Sequence, residues 1–400
     1  MREQQGMDVA GREILILGAG YAGLSAAVNL GARVKRREDV RVTVVNAGER
    51  FVERLRLHQA ATGQQLAEFD IPALLDSIGV GFIRGRVREI DPDANTVRLA
   101  DGRLLHYDTL VYALGGVADT GRVPGADDHA FALDGPADAA GLAAYLNRLD
   151  TGTVVVGGAG LTGIESAAEI AERYPRLRVL LLGRDEPGAD LADKPRAHLR
   201  AGLDRLGVEV RAGAEVVKVL ADSVELADGA SIAADAVLWT SGVRALPLAA
   251  AAGVVVDDLG RIVTDATLRS VSHPNIYAVG DAAAIEQGYG LMHGTCQSGM
   301  PTGVHAAVSL YRELKGKQPK PFRFGYYHTP ISIGRADAVV QFTKPDGSPR
   351  RWYLTGKRAA WYKETVNAAP WSTFLRMTRF PGSGAFWPSG GRYTRGAGAR

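Results

Sequence analysis

The chain has 400 residues, of which 46% are hydrophobic and 49 are glycine, and its formal net charge is +3. This length exceeds what one hydrophobic core usually supports, and the apolar content excludes a disordered protein. No apolar run is long enough to span a membrane, and the start lacks the apolar centre of a secretory signal, so we expect a cytoplasmic protein. The single cysteine, Cys296, permits no internal disulfide. The sequence has no zinc-type Cys/His cluster, so no metal site is expected, and it has no P-loop lysine.

Basic residues are concentrated at the C-terminal end of the chain. Residues 341–400 hold eleven Lys and Arg against two acidic residues, a net charge of +9, while the remainder carries −6. A basic end on an acidic body predicts an anionic surface as partner, such as the inner face of the cell membrane. No nucleic-acid recognition motif accompanies these charges, so no nucleic-acid partner is expected.

Two segments share the pattern of an apolar strand, a glycine turn and a helix. They are ILILGAGYAGLSAAVNL at residues 14–30 and TVVVGGAGLTGIESAAEI at residues 153–170. Such glycines let the chain turn, approach a pyrophosphate at the helix N-terminus and pack the helix on the sheet. One motif is weak evidence, but two predict two bound dinucleotides and a hydride passed between them. The glycines concerned are Gly18, Gly20 and Gly23 in the first copy and Gly158, Gly160 and Gly163 in the second.

After the first helix, a strand at residues 40–45 ends at Asn46, where dinucleotide folds usually place an acidic residue that binds ribose hydroxyls. Asn46 can still bond a hydroxyl, without the charge. Shorter strand signals follow at 79–91 and 95–116, with a hairpin turn at Asp101–Gly102. Residues 108–116 are predicted to form a buried strand that enters a glycine turn. Residues 121–136 are predicted to form the connection that crosses from one domain to the other.

The second unit repeats this plan. We predict a strand at 177–183, a helix from about Lys194 to Leu206, strands within 208–222, a turn at Asp228–Gly229 and a buried strand within 234–243. The alternation of strands and helices is the doubly wound α/β pattern. The predicted domains are a discontinuous first unit at 1–120 and 256–320, an inserted second unit at 121–255, and a C-terminal extension at 321–400.

The order of these motifs resembles the pyridine nucleotide–disulfide oxidoreductase-like flavoproteins, and among them most resembles the type II NADH dehydrogenases, which pass hydride through FAD to a quinone. The resemblance covers about residues 12–310 and implies two Rossmann-like domains in a glutathione-reductase-like architecture, with FAD in the first and NADH or NADPH in the second. A homodimer is also compatible with it. Besides Asn46 and the six glycines, the resemblance assigns to cofactor binding Tyr21, Ala22, Val87, Ala113, Gly115, Gly242, Gly280 and Asp281.

Two acidic residues receive roles from the resemblance. Asp281 would accept hydrogen bonds from the flavin ribityl chain or lie near the pyrophosphate; the plain alternative is a helix N-cap. Glu165 lies in the first turn after Gly163, where the family keeps a glutamate near the nicotinamide and flavin rings, able to order the site or relay a proton. Its plain alternative is a carboxylate favoured by the helix dipole.

The choice of nicotinamide depends on the end of the strand at 177–183. An NAD enzyme usually has an acidic residue there, whereas this chain has Arg184, which can pair with a 2′-phosphate and so favours NADPH. Asp185 weakens this prediction, because its charge opposes a phosphate or attracts Arg184 away.

The electron acceptor is less well indicated. In the segment GTCQSGMPTGVHAA, Gln297 matches a family glutamine near the quinone, while Pro301 and Thr302 replace a later pair of glutamines. Their loss removes amide groups that hold a quinone carbonyl, so a different acceptor or pocket shape stays open. Cys296 either faces the flavin or is a small buried hydrophobe.

The extension contains strands followed by a helix. Within WSTFLRMTRF, one helical face carries Trp371, Phe374, Leu375 and Thr378, which predicts either an interfacial anchor or a helix packed on the protein itself. The glycine- and proline-rich residues 381–400 predict a mobile tail.

The resemblance implies an FAD-dependent NAD(P)H oxidoreductase that reduces a quinone-like acceptor. Two alternatives remain: a tailoring reductase or oxidase of a soluble metabolite, and a redox-sensing flavoprotein similar to apoptosis-inducing factor.

Overall fold

The computed structural model describes residues 11–395. The first part of the chain forms most of one nucleotide-binding unit. It ends with β8, a short strand in the connection to the second unit. Its elements are β1 (Arg12–Leu17), α1 (Tyr21–Val34), β2 (Val40–Asn46), α2 (Leu57–Ala60), α3 (Ile71–Asp76), β3 (Gly81–Arg84), β4 (Val87–Asp91), β5 (Thr96–Leu99), β6 (Leu104–His106), β7 (Thr109–Tyr112) and β8 (Gly116–Ala118).

The second unit follows. Its elements are α4 (Ala126–His129), α5 (Pro136–Leu146), β9 (Gly152–Gly157), α6 (Leu161–Arg173), β10 (Leu177–Gly183), α7 (Asp193–Arg205), β11 (Glu209–Ala212), β12 (Val216–Val219), β13 (Ser223–Leu226), β14 (Ser231–Ala233), β15 (Ala236–Trp239) and β16 (Val243–Ala245).

The chain then returns to the first unit and ends in the extension. The remaining elements are α8 (Leu248–Ala251), β17 (Ile262–Val263), β18 (Ile276–Ala278), β19 (Ala283–Ala284), β20 (Glu286–Gln287), β21 (Gly290–Leu291), α9 (Cys296–Glu313), β22 (His328–Ile333), β23 (Asp337–Thr343), β24 (Pro349–Thr355) and α10 (Gly356–Arg379). Within residues 11–395, no helix has the length and apolar character needed to cross a bilayer.

Two parallel sheets organise the molecule. In the first unit the strand order is β18-β7-β1-β2-β3, and in the second it is β11-β10-β9-β15. The strands read as continuous apolar runs because parallel sheets are covered on both faces, and Ile16 and Val155 are accordingly fully buried. Both hairpin turns are confirmed, with positive φ at Gly102 (90°) and Gly229 (86°). The predicted doubly wound α/β fold is confirmed.

The two units are joined by a short antiparallel pair, β8 with β16. The boundary at residue 255 stays a prediction, and Ala249 and Val254, which precede it, pack in the core of the first unit. The boundary is difficult to place from sequence, since α8 is four residues long and its alanines suit either core.

The extension packs on both units. Its antiparallel sheet, β22-β23-β24, contributes Ile331, Ile333 and Val339 to the core of the second unit. The helix α10, in contrast, contributes Phe374 and Met377 to the core of the first. The extension therefore holds the two nucleotide-binding units together.

The C-terminal part of α10 is not an interfacial anchor on the predicted face. Trp371 stacks on Phe69 with ring centroids 4.7 Å apart, and Phe374 is fully buried and packs edge-on against Phe51. Of the large apolar residues on that face only Leu375 is exposed. The helix is a capping helix, because the first unit offers an aromatic cluster that its sequence alone does not reveal.

The tail is held against the protein as far as the structure describes it. The Trp387 indole Nε1 donates a hydrogen bond to the Arg323 carbonyl oxygen (2.9 Å), and the Gly325 N–H donates to the Pro388 carbonyl (2.8 Å). The mobile tail stays a prediction up to Arg395, where these hydrogen bonds hold the chain against the protein, and for residues 396–400 it lies outside the described part of the chain. We call residues 381–395 the C-terminal strap.

Candidate active site

The first glycine loop joins β1 to α1 and has the geometry of a diphosphate site. Gly18 has a φ of +94°, and a Cβ there would overlap the Ala113 carbonyl. A Cβ on Gly23 would overlap the Gly18 carbonyl, so only glycine permits the close packing of helix on strand. At Gly20, the residue preceding α1, a Cβ would meet nothing within 4 Å, and no side chain caps the helix. Open space therefore adjoins the free N–H groups of the helix N-terminus, which suits the FAD pyrophosphate.

Residues around this loop fix its shape. The Asn46 Oδ1 accepts a hydrogen bond from the Ala19 N–H (3.0 Å), and its Nδ2 donates to the Gly48 carbonyl (2.7 Å). Asn46 thus holds the loop itself, and its predicted ribose contact stays a prediction. Ala22 is buried in the first turn of α1, and the neighbouring Tyr21 hydroxyl is buried without a hydrogen-bond partner among the described residues.

Three further residues that were predicted to bind FAD come shortly after strands of the first parallel sheet. Ala113 is buried directly after β7, and Gly115 has a φ of +68°, which lets the chain leave the sheet towards the crossing. Val87 is half-buried at the start of β4, three residues beyond the carboxyl end of β3. All three lie on the carboxyl side of the strands they follow, the side on which parallel sheets bind ligands.

Asp281 lies within a cavity of about 270 Å³ beside the first unit, lined also by Gly280, Ser298 and Thr302. Val279 precedes the short 3-10 turn containing it, so the plain N-cap alternative is wrong for Asp281. Burial raises the pKa of its carboxyl above the ordinary range, because no donor within residues 11–395 forms a hydrogen bond that compensates the lost hydration. A Cβ on Gly294 would overlap this carboxyl. A buried acceptor that lacks donors fits the hydroxyl groups of a ribityl chain.

The second glycine loop, between β9 and α6, repeats the first. A Cβ on Gly163 would overlap the Gly158 carbonyl, and Gly158 has a φ of +118°. Gly160 again precedes the helix in open space without a capping side chain. Gly242 has a φ of +81° and lies at the crossing, where its carbonyl accepts a hydrogen bond from the Asp119 N–H. The loop therefore suits a second pyrophosphate.

Arg184 follows β10 and is exposed. Among residues 11–395, no carboxylate lies within 4 Å of its guanidinium, so Asp185 does not hold it in an ion pair. Its carbonyl accepts a hydrogen bond from the Gly213 N–H, which fixes the backbone at the carboxyl end of the strand.

Glu165 is buried at the junction of both units and the extension. Its Oε1 accepts hydrogen bonds from the Ser332 N–H (2.8 Å) and hydroxyl (3.0 Å) and forms an ion pair with Lys363 of α10. Burial alone would raise the pKa of the carboxyl, but this cation and the hydrogen bonds outweigh burial and lower it. A favourable interaction with the helix dipole therefore does not by itself explain why the Glu165 carboxylate is buried here.

His58 completes this cluster from the first unit. Its Nδ1 lies 3.9 Å from the Glu165 Oε2, and its Nε2 is buried without a partner among the described residues. Burial lowers the pKa of His58 to about 4, so the imidazole is neutral at pH 7 and Lys363 is the counter-charge of Glu165. The sequence analysis missed His58, Lys363 and Ser332, since none belongs to a glycine motif and they lie on three separate segments.

Gln297 lies in the first turn of α9, and its side-chain amide is occupied. Its Nε2 donates to the His328 carbonyl (3.0 Å), and its Oε1 accepts from the Tyr327 N–H (3.1 Å). The replaced glutamine position at Thr302 is also structural, because the Thr302 hydroxyl accepts a hydrogen bond from the Gly280 N–H (2.9 Å). Burial raises the pKa of the neighbouring Cys296 thiol to about 11, so it is not a nucleophile at pH 7.

A second cavity, of about 530 Å³, lies between α9, the start of β22, α10 and the C-terminal strap. We call it the acceptor cavity. Its lining is mostly apolar, with few polar groups. The residues lining it include Cys296, Gln297, Met300, Pro301, Val304, Tyr327, His328, Val366, Ala369, Pro370, Thr373, Arg376, Met377, Ser383, Phe386 and Trp387.

Comparisons with known proteins agree with this geometry. The chain is 30% identical over 377 residues to an NADH dehydrogenase-like protein of Mycobacterium tuberculosis, covering 88% of this chain and 92% of the relative. It is 29% identical over 396 residues to a type II NADH:quinone oxidoreductase of Staphylococcus aureus, covering 89% and 94%.

Solved structures share the fold at lower identity. The sulfide:quinone oxidoreductase of Aquifex aeolicus has a TM-score of 0.76 at 19% identity, covering 93% of this chain and 92% of that one. The NDH2 of Plasmodium falciparum in complex with NADH has a TM-score of 0.75 at 14% identity, covering 92% and 98%. The model of the family described as pyridine nucleotide-disulphide oxidoreductase matches residues 12–309. The chain therefore belongs to this family and is an NAD(P)H oxidoreductase whose cofactors are FAD and NAD(P)H.

Proposed function

We propose that the chain passes hydride from NAD(P)H through FAD to a quinone or quinone-like acceptor bound in the acceptor cavity. The observation that carries this proposal is the cavity itself, which is large, mostly apolar and separate from both glycine loops. It adjoins the start of α9. Two residues of the same helix, Ser298 and Thr302, line the smaller cavity assigned to FAD. An apolar ring with few polar substituents suits such a lining.

The protein contributes alignment and an ordered electrostatic environment. FAD, when bound, supplies the capacity to accept and release hydride. The ion pair of Glu165 with Lys363, braced by Ser332, fixes a negative and a positive group where the two units meet. Glu165 belongs to the second unit and Lys363 to the extension, which also packs on the first unit. The ion pair therefore helps to hold the nicotinamide-binding unit in a fixed position relative to the first unit.

Gln297 acts as a brace rather than a free ligand of the acceptor. Its amide holds the backbone of Tyr327 and His328, which form the adjoining wall of the cavity. We therefore expect the side chains on this wall, and not the Gln297 amide, to contact the polar end of the acceptor.

The test separates the two half-reactions in anaerobic stopped-flow experiments. Ala369 is exposed and lines the acceptor cavity, so Ala369→Phe fills it from one side. We expect unchanged reduction of the yellow protein by NADH or NADPH and reoxidation by a short-chain quinone slowed about tenfold or more, the effect of about 1.4 kcal/mol of lost binding.

The matched control is Ala368→Phe, since Ala368 is exposed on the same helix and does not line the cavity. Equal reoxidation rates in the two variants would contradict the assignment of the cavity. If NADH or NADPH reduces the parent protein quickly but quinone does not reoxidise it, the protein is still a reductase and quinone is excluded as its acceptor. Slow reduction of the parent would instead indicate a redox sensor.

We further propose that the surface around the strap meets a membrane from the cytoplasmic side. Leu375, Phe380 and Phe386 are 50%, 67% and 88% exposed, and Arg376 and Arg379 lie between them. Exposed aromatic residues among cations match the interface of an anionic bilayer. Phe386 and Arg376 also line the acceptor cavity, so a lipid-soluble acceptor would enter from that side.

A further inference from the structure

The wall of the acceptor cavity contains a histidine paired with a tyrosine. The His328 Nδ1 lies 2.7 Å from the Tyr362 hydroxyl, and the two rings meet edge to face with centroids 5.5 Å apart. His328 begins β22 and Tyr362 lies in α10, so two elements of the extension fix the pair. The Gln297 Nε2 additionally holds the His328 carbonyl.

The environment of His328 defines which of its nitrogens carries the proton. Burial, reinforced by the charge of Lys363, lowers the pKa of His328 to about 4, so the ring is neutral at pH 7. A neutral imidazole has one donor and one acceptor nitrogen. The Tyr362 hydroxyl has no other hydrogen-bond acceptor among residues 11–395. We therefore assign its proton to the bond with Nδ1, and this assignment places the imidazole proton on Nε2.

The Nε2 atom is available to a ligand. It makes no hydrogen bond with the described residues and does not belong to the fully buried unpaired atoms, and the residue lines the acceptor cavity. Tyr362 is half-buried, so the residue is partly in contact with solvent. The pair thus connects a donor in the cavity with a proton source outside it.

We propose that Tyr362 and His328 form a proton relay to the carbonyl oxygen of the acceptor. This inference rests on the proposed function, in which the acceptor is quinone-like. Reduction of such an acceptor to its diol consumes a hydride and one proton, and the hydride comes from NAD(P)H by way of the cofactor.

The relay supplies the remaining proton. An O–H bond forms on the acceptor as the His328 Nε2–H bond breaks, while the Tyr362 O–H proton moves to Nδ1. The imidazole stays neutral throughout, and Tyr362 recovers a proton from solvent. After the product leaves, exchange with water in the open cavity restores the original tautomer. His328 is the catalytic residue that touches the acceptor, and Tyr362 acts through it.

The test variant is Tyr362→Phe, which retains the ring packed against His328 and Phe342 and removes only the hydroxyl. General acid catalysis contributes about a hundredfold or more, so we expect reoxidation by a short-chain quinone to slow at least about tenfold and to lose its solvent deuterium isotope effect. Reoxidation by ferricyanide, which takes electrons without protons, should keep the parent rate. His328→Gln should reproduce both results.

The matched control is Tyr311→Phe, which removes a hydroxyl from the distal part of α9. Equal slowing with quinone and ferricyanide in Tyr362→Phe would overturn the relay in favour of a structural role. An unchanged quinone rate and isotope effect would overturn it as well. A parent protein that reduces ferricyanide and no quinone would overturn the proposed function, and the relay with it.

Discussion

Arg184 occupies the position that decides between the two nicotinamide dinucleotides. Its guanidinium is exposed and lies within 4 Å of no described carboxylate, so it is available to the 2′-phosphate of NADPH. A charge-assisted hydrogen bond is worth about 1.5–3 kcal/mol. We therefore expect Arg184→Ala to lower kcat/KM for NADPH about ten- to hundredfold in steady-state assays and to change the value for NADH little.

The control for this prediction is Arg178→Ala, which removes an arginine from the same strand. Arg178 is paired with Glu209, so it offers no free cation to a phosphate. A parallel loss with NADH and NADPH in Arg184→Ala would contradict the specificity role.

His305 makes the stability of the protein depend on pH. It is buried in α9, its Nε2 lies 2.9 Å from the Lys320 carbonyl oxygen, and burial lowers its pKa to about 4. An unfolded histidine has a pKa of about 6.5, so the unfolded state binds more protons and the contribution of His305 to stability is lost as the pH falls from about 6.5 to about 4.

At pH 5 this linkage amounts to about 2 kcal/mol. In His305→Gln, which retains a donor for the Lys320 carbonyl, we expect the difference in unfolding free energy between pH 7.5 and pH 5 to shrink by about that amount. Urea unfolding at the two pH values measures it. An unchanged difference would mean that His305 has the same pKa in the folded and the unfolded protein, so that burial does not lower it.

The residues that form the site were predictable only where a motif carries them. Glu165 follows a glycine loop and was predicted near the site, whereas His58, Ser332 and Lys363 reach it from segments that have no recognisable pattern. The position of Gln297 near the acceptor stays a prediction. The bonding of its amide to backbone depends on β22, which lies about thirty residues further along the chain.

Helices α1 and α9 come into close backbone contact at Gly303. A Cβ on Gly303 would overlap the Ala22 carbonyl, whereas one on Gly299, four residues earlier on the same helix, would meet nothing within 4 Å. We expect Gly303→Ala to destabilise the protein by about 1–3 kcal/mol through overpacking and to weaken FAD retention, because Ala22 lies in the first glycine motif.

Gly299→Ala is the matched variant, and we expect it to be neutral or to stabilise the protein by about 0.5–1 kcal/mol through helix propensity. Thermal unfolding and the FAD released on dilution measure both effects. Equal melting temperatures for the two variants would contradict the close helix contact.

Strands and helices with a regular sequence pattern were predicted well. What covers the apolar face of a helix was not. The strands and helices of both nucleotide units follow from apolar runs and glycine turns, since these are local features. The side of α10 that carries Trp371 and Phe374 depends on Phe51 and Phe69, which belong to a distant segment. Amphipathic spacing identifies a buried face but cannot identify whether protein or lipid covers it.

Across the whole molecule, charge and exposed aromatic residues coincide where α10 ends and the strap begins. We expect the protein to sediment with anionic lipid vesicles, and Phe380→Ser with Phe386→Ser to lower the partition coefficient about tenfold or more, because each phenylalanine loses up to about 2 kcal/mol of burial. Trp352→Ser is the control, since Trp352 is 76% exposed on β24 instead of on the strap. Undiminished sedimentation of the double variant would place the membrane contact elsewhere.

Domain order was predictable because each unit begins with its own glycine motif. The exact boundary between the units is harder to predict, because no turn signal marks Ala249 and Val254 as members of the first core. Nor does any local pattern reveal that the extension supplies side chains to both cores.

The second unit has a core assembled from distant parts of the chain. Leu57 and Ala61 precede it and Ile331, Ile333 and Val339 follow it, yet all five pack with its sheet and helices. During synthesis, this core cannot close until Val339 has left the ribosome, although the unit's own strands emerge some hundred residues earlier. The nascent chain must therefore keep an incomplete nucleotide-binding unit soluble while translation continues. For the same reason, residues 121–245 excised alone would expose the apolar surface that these five residues cover.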